Sequence, residues 1–226
     1  MISFAARSRP GRLHAANQDR LATSTERGIF IVADGMGGGA DAAATAQTVV
    51  DELPGRIHAC VTTLTGPTAR VAVQAAASEL SERVRRSARH GPGTTGAATA
   101  LLLIHGGRAL AVHLGDSRIY LVRGRELTRL TDDHSEDGRL TRYMGMSAPA
   151  IPGVSVHDLA PGDRLLLCTD GLTGHVDDAV LAGLLASAEP VDEVSRRLVD
   201  AASDGGSADD VSLIVVDYGD EEEGRT

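Results

Sequence analysis

Apolar and polar positions recur with changing period along this chain, and the changes mark its elements. Residues 2–8 and the apolar run "GIFIVA" (28–33) read as strands, the second covered on both faces. From Ala40 to Cys60 the spacing is helical, and Pro54-Gly55 predicts a break or kink. A second long helix is predicted in "GPTARVAVQAAASELSERVRRSARHGPG". Pro67 lies near its start, Gly91-Pro92-Gly93 ends it, and the arginines of its last turns complement the helix dipole. The period then shortens. "GAATALLLIHGG", "RALAVHLGDSR", "IYLVRGREL" and "TRLTDD" read as short strands with glycine-containing turns, an antiparallel meander. Residues 131–153 are polar and irregular, and "VSVHDL" and "DRLLLCTDG" are two further strands. "DDAVLAGLLASAEPVDEVSRRLVDAASDGG" predicts two helices hinged at Pro190, before a last strand in "DDVSLIVVDY". Strand, paired helices, meander, then helices and a strand is an α+β order without βαβ alternation. No repeat or linker divides it, so one domain is expected over residues 1–218, with 219–226 a solvated, disordered acidic tail.

Composition narrows the function. The chain is 42% hydrophobic, enough for a substantial core, which must be aliphatic because aromatics make up only 2%. No apolar run reaches 18 residues, so no membrane span is expected. "MISFAARSRPGRLH" lacks an apolar signal core, which predicts a cytoplasmic protein. Cys60 and Cys168 are expected to be buried free thiols in a reducing compartment. A net charge of −9 argues against nucleic acid as a partner. All 22 basic residues are arginines; without lysine there is no Walker A loop, Schiff-base lysine or lysine-dependent kinase apparatus.

Four aspartates share one context, the end of an apolar strand: Asp34 in "IFIVADG", Asp116 in "LAVHLGDS", Asp170 in "LLLCTDG" and Asp209 entering "VSLIVV". A carboxylate beside a buried strand needs compensation to stay ionised, and a divalent cation compensates several at once. No Cys/His cluster accompanies them, so the expected site is all-oxygen and takes Mg²⁺ or Mn²⁺ rather than zinc. Singly, each aspartate could instead cap a helix or fix a turn. "GMGGGA" (35–40) also fits a dinucleotide-binding glycine turn. That fold, however, requires an acid at the end of a second parallel strand, and Asp51-Glu52 lies within helical periodicity.

Taken in order, "NQD" (17–19), "ADGMGGG", "GTTGAATALLL" with "VHLGDSRIYLVRGRELTRLTDDHS", "CTDGLTGHVDD" and "SADDVSLIVV" resemble the motifs of the metal-dependent Ser/Thr protein phosphatases of type 2C, the PPM family, from about Gly11 to Val216. The resemblance implies a four-layer α-β-β-α sandwich of two antiparallel sheets flanked by helices. It implies hydrolysis of phosphoserine and phosphothreonine by a water activated between two metal ions, Mn²⁺ or Mg²⁺, without a covalent intermediate. Residue by residue, it makes Asp34 the bridge between the ions and the Gly35 carbonyl, Asp170 and Asp209 further ligands. Asp19 would act mainly through a cation's water, and Asp116 would complete a third, weaker position with Asp170. Where relatives carry a phosphate-binding arginine this chain has His14, with Arg12 two residues earlier; either is a candidate for the substrate phosphate. Met36 stands where some relatives have a general-acid histidine, and His134 and His175 are expected to be structural. The segment after "DDHS" is shorter than the usual flap, which loosens substrate selection; Arg139 and Arg142 there are further candidates for contacting the phosphosubstrate. The implied partners are a phosphorylated protein and an opposing Ser/Thr kinase, and a monomer is expected. The alternatives are a catalytically weak phosphoprotein-binding module and a phosphatase of small phosphate esters.

Overall fold

The computed structural model describes residues 1–37, 40–61, 67–87, 95–147 and 149–219. Two five-stranded antiparallel sheets pack face to face. One holds β1 (Ile2–Arg9), β6 (Arg118–Arg123), β7 (Glu126–Arg129), β11 (Asp163–Cys168) and β12 (Val211–Tyr218), in the order β1-β12-β11-β6-β7. The other holds β2 (Asp19–Ser24), β3 (Ile29–Met36), β4 (Gly96–His105), β5 (Arg108–Leu114) and β10 (Gly153–Asp158), in the order β10-β5-β4-β3-β2. Helices α1 (Ala40–Cys60) and α2 (Pro67–Ser87) cover the second sheet. Helices α3 (Asp170–Thr173), α4 (Asp178–Leu185) and α5 (Val191–Asp204) cover the first. This is the expected four-layer α-β-β-α sandwich, and its antiparallel sheets rule out the dinucleotide-binding fold.

The apolar strand runs are continuous because each strand is buried on both faces, with successive side chains sent to opposite layers. On β3, Ile29, Ile31 and Ala33 pack under the helices with Leu53, Ile57 and Leu80. Phe30 and Val32 enter the layer between the sheets. On β11, Leu166 and Cys168 meet Leu181, Val194 and Leu198 of the helices, while Leu165 and Leu167 face the inter-sheet layer. Each such leucine or isoleucine stabilises the fold by roughly 1.5–3 kcal/mol.

Several elements differ from their sequence expectation. Helix α1 runs unbroken through Pro54, because fully buried Leu53 and Ile57 anchor it on both sides of the missing N–H. Strand β2 has no apolar run to announce it; it is a half-buried edge strand. "IYLVRGREL" divides at Gly124 (φ 63°) into β6 and β7. Residues 131–153 contain a small hairpin, β8 (Ser135–Glu136) and β9 (Arg139–Leu140), turning through Asp137 and Gly138. Cys168 is buried as expected, but Cys60, the last residue of α1, is exposed. Gly219 donates to the Met1 carbonyl (2.9 Å); the rest of the expected acidic tail, like Gly91-Pro92-Gly93, lies outside the described residues.

The pole opposite the strand-end aspartates is closed by Arg164, only 11% exposed. Its Nε and Nη2 donate to the Asp217 carboxylate. Nη1 donates to the carbonyls of Leu185 and Ser187 (3.2 and 3.0 Å) and Nη2 to that of Glu189 (2.9 Å). All five donors are spent, which ties the α4–α5 connection to the sheet. The cavity of about 410 Å³ beside it is therefore lined by a guanidinium with nothing left to offer a ligand.

Candidate active site

The strand-end carboxylates converge where the inter-sheet layer opens. Asp19 and Asp34 are direct partners across β2 and β3. By alternation, Asp34 follows Phe30 and Val32 into the inter-sheet layer, and Asp19 follows Leu21. Asp170 opens α3 just beyond β11, Asp209 precedes β12, and Asp116 lies in the link that carries the chain from β5 to β6, from one sheet to the other. One sheet thus contributes Asp19 and Asp34 and the opposite side contributes Asp116, Asp170 and Asp209. Thr169 bridges them: its Oγ1 donates to Asp19 Oδ2 (2.9 Å) and accepts from the Ser212 N–H (3.0 Å).

Their electrostatics are unfavourable as they stand. Burial, reinforced by Asp19, Asp170, Asp209 and Asp116, holds the Asp34 carboxyl well above its ordinary range. Burial pushes Asp19 up to about 7, against hydrogen bonds from Ser212 and Thr169 that pull it down. Asp116 rises to about 6, through burial and the Asp170 charge. Asp170 is raised by burial and then by Asp209. Elsewhere the chain neutralises buried carboxylates with arginine. Asp163, 1% exposed, is bound by Arg123, and Asp133 takes both Nε and Nη2 of Arg118. Among the described residues no arginine nitrogen lies within 4.0 Å of a carboxylate oxygen of these five aspartates; only the His14 ring approaches Asp209. Buried Asp19 and half-buried Asp34, Asp116, Asp170 and Asp209, from separate segments and without an arginine at their carboxylates, offer oxygen donors of the type that hard divalent cations take, and the ligand atoms of His14, Asp209 and Asp210 lie within 4.8 Å of one another.

Neighbouring residues fix the frame. Asp210, 4% exposed, accepts from the backbone N–H of Gly11 (2.8 Å) and Gln18 (2.7 Å), anchoring the loop that carries Arg12 and His14. Sequence reasoning did not single it out; the doubled aspartate before an apolar strand was the available signal. Gly35 is required by packing: a Cβ there would lie 2.3 Å from the Ala42 carbonyl oxygen of α1. The resemblance makes the Gly35 carbonyl a metal ligand; what the described contacts of Gly35 demand is close approach of the helix.

His14 Nδ1 lies 3.7 Å from both Asp209 Oδ1 and Asp210 Oδ2. Arg12 lines a cleft of about 230 Å³ with Arg9, Ser203, Ser207 and Asp209. Arg9 is held by Ser203, whereas the Arg12 guanidinium has no described partner. His134 is buried, stacks on His113 (4.4 Å), and accepts a long bond from the Gly115 N–H (3.4 Å); burial pushes it down to about 4, so it is neutral. His175, Arg139 and Arg142 are exposed, and Arg142 reaches back to the Ile151 carbonyl.

The same architecture recurs in known proteins. The Serine/threonine protein phosphatase PstP of Mycobacterium tuberculosis is 32% identical over the whole of this chain, which spans 47%, about half, of that protein's length. The crystallised catalytic domain of PstP in complex with two manganese ions is 30% identical, with a TM-score of 0.77 over 97% of this chain and 99% of that one. PppA, described as a key regulatory component of T6SS in Pseudomonas aeruginosa, is 29% identical, with a TM-score of 0.84 over 96% of this chain and 97% of that one. The family described as Stage II sporulation protein E (SpoIIE) matches residues 24–219. The chain belongs to this SpoIIE family and has the fold of the type 2C phosphatases.

Proposed function

We propose that this chain hydrolyses phosphoserine and phosphothreonine esters of proteins, using divalent cations held by its strand-end carboxylates. The observation that carries this reading is the convergence of Asp19, Asp34, Asp116, Asp170 and Asp209 without an arginine at their carboxylates. Asp34 would be shared by two Mn²⁺ or Mg²⁺ ions, with the Gly35 carbonyl, Asp170 and Asp209 as further ligands and Asp19 acting through water. Asp116 with Asp170 would take a third, weaker ion. When bound, such ions supply Lewis acidity, readying a water for in-line attack on phosphorus and offsetting charge on the phosphoryl oxygens. The manganese ions in the PstP catalytic domain support this assignment.

The protein's own groups then bind and orient. Arg12, on the cleft that Asp209 lines, receives the phosphate. His14, drawn toward Asp209 and Asp210, lends that loop its shape. Neither thiol serves as a nucleophile: Cys168 is buried and pushed up to about 12, and Cys60 ends α1 away from the carboxylates. Met36 cannot protonate a leaving group and neutral His134 is engaged with the backbone, so the departing alkoxide takes its proton from solvent. The reading includes one catalytic domain over residues 1–218, a monomer in the cytoplasm, and a phosphoprotein substrate opposed by a Ser/Thr kinase. Among the described residues no helix is long and apolar enough to cross a membrane.

Turnover of p-nitrophenyl phosphate and a phosphothreonine peptide should require Mn²⁺, stop in EDTA and be lost in Asp34→Asn. Turnover that persists in EDTA would remove the proposal. Mn²⁺ binding without turnover of either substrate would favour the binding-module alternative.

A further inference from the structure

At the carboxylate end, the layer between the sheets turns from apolar to polar within one step along each strand. On β11, Leu165 and Leu167 lie in that layer and Thr169 follows; on β12, Val216 and Ile214 lead to Ser212; on β3, Phe30 and Val32 lead to Asp34. On β6, Leu121 and Ile119 lead to Ser117. Because Cys168 is the partner of Arg118, the same antiparallel register sets Ser117 opposite Thr169. Ser117, Thr169 and Ser212 therefore form a row of hydroxyls level with Asp34 and Asp19.

Two members of the row are accounted for. Thr169 Oγ1 donates to Asp19, and Ser212 Oγ is hydrogen-bonded to Ser8 Oγ (2.8 Å). Ser117 is the exception. It is 1% exposed, and among the described residues its Oγ is the one buried side-chain oxygen or nitrogen without a hydrogen-bond partner. A buried hydroxyl left unpaired opposes folding, so its retention calls for a partner that arrives later. Its chain neighbour Asp116 carries a carboxyl that feels Asp170, the pair assigned above to the weakest cation. A neutral hydroxyl competes poorly with carboxylates for a hard cation, but such cations keep water ligands whose protons point outward. Such a water needs two to four polar partners.

We propose that the Ser117 hydroxyl belongs to the cation pocket and accepts a hydrogen bond from a water of the ion held by Asp116 and Asp170. This rests on the divalent-cation reading of the site. The test is calorimetric titration of the full chain with Mn²⁺, with bound ions counted by electron paramagnetic resonance, on the parent, Ser117→Ala and Ser117→Cys. Melting in EDTA accompanies each titration. In EDTA, Ser117→Ala should melt at or above the parent temperature, since it loses an unpaired hydroxyl. The weakest class of Mn²⁺ site should lose about five- to tenfold in affinity in both variants while the tighter sites hold. Cysteine keeps the volume and is a poor acceptor, so weakening in both variants assigns the effect to the hydroxyl. Isotherms identical to the parent's, weakening in Ser117→Ala alone, or an EDTA melt below the parent's would each overturn the Ser117 role. A parent that binds no Mn²⁺ would overturn the cation reading as well.

Discussion

Replacing Asp19 by Asn should stabilise the cation-free protein, and increasingly so as pH rises. Asp19 is 2% exposed and titrates at about 7 when folded, against 3.8 ordinarily. Because the folded value is the higher one, the folded state holds a proton that the unfolded chain has already released. Stability is fullest below the unfolded value and is lost as pH climbs through the folded one. Summed over the window, ionising Asp19 costs the metal-free fold about 4 kcal/mol, of which about 3 kcal/mol falls between pH 5 and pH 8. His134 and His113, whose values burial lowers, act with the opposite sign as pH rises. They are common to both proteins and cancel in the difference, whereas Asp34, whose carboxyl the Asp19 charge helps to raise, is relieved in the variant and shifts the difference the same way. The measurement is urea unfolding of parent and Asp19→Asn in EDTA at half-unit steps from pH 5 to pH 8. The stability difference should widen in favour of the variant by about 3 kcal/mol and level off above pH 7. Added Mn²⁺ should reverse the order at pH 8, because the ions bind the ionised carboxylates of the parent. A difference that stays flat, or that favours the parent at pH 8 in EDTA, would refute the argument that Asp19 is an uncompensated buried charge.

Other consequences are simpler to test. Arg164→Ala should destabilise by about 3–5 kcal/mol in denaturant titration, because Asp217 and three carbonyls lose their donor together. Arg196→Ala, on the 50%-exposed surface pairs with Glu193 and Asp200, should leave the denaturation midpoint at the parent's value. Arg12→Ala should raise KM for a phosphopeptide about tenfold while His14→Ala leaves it unchanged from pH 6 to 8; the reverse pattern would move the phosphate site to His14. A thiol reagent should titrate Cys60 alone in the native protein and both cysteines in denaturant; native labelling of Cys168 would contradict its burial.

What could be read from the sequence followed strength of periodicity. β3, β5, β11 and β12 are buried on both faces, so their apolar runs were plain, and their terminal aspartates stood out against them. β2 was not legible: "DRLATS" is an edge strand whose half-buried positions mix polar and apolar types. The four-residue α3 is too short to show a period, and α1 does not break at Pro54 because core contacts outweigh one lost hydrogen bond. Motif resemblance singled out Asp209, but not Asp210, whose role lies in two backbone N–H groups far away in sequence. Ser117 was equally invisible, since an unpaired hydroxyl is a property of surroundings rather than of residue type.

The pairing of Asp19 with Asp34 has a consequence for how this site could be lost without touching either residue. Strand order is antiparallel with a two-residue repeat, so shifting β2 one position along β3 would put Arg20 beside Asp34 and turn Asp19 toward α1. The Arg20 guanidinium guards against this slip: it bonds the Gln47 side chain on α1 (3.0 Å) and the carbonyls of Asn17 and Asp19 (2.9 and 2.7 Å). Arg20 thus acts as the pawl of a ratchet, and damage to it would part Asp19 from Asp34 in a chain whose acidic residues were all intact.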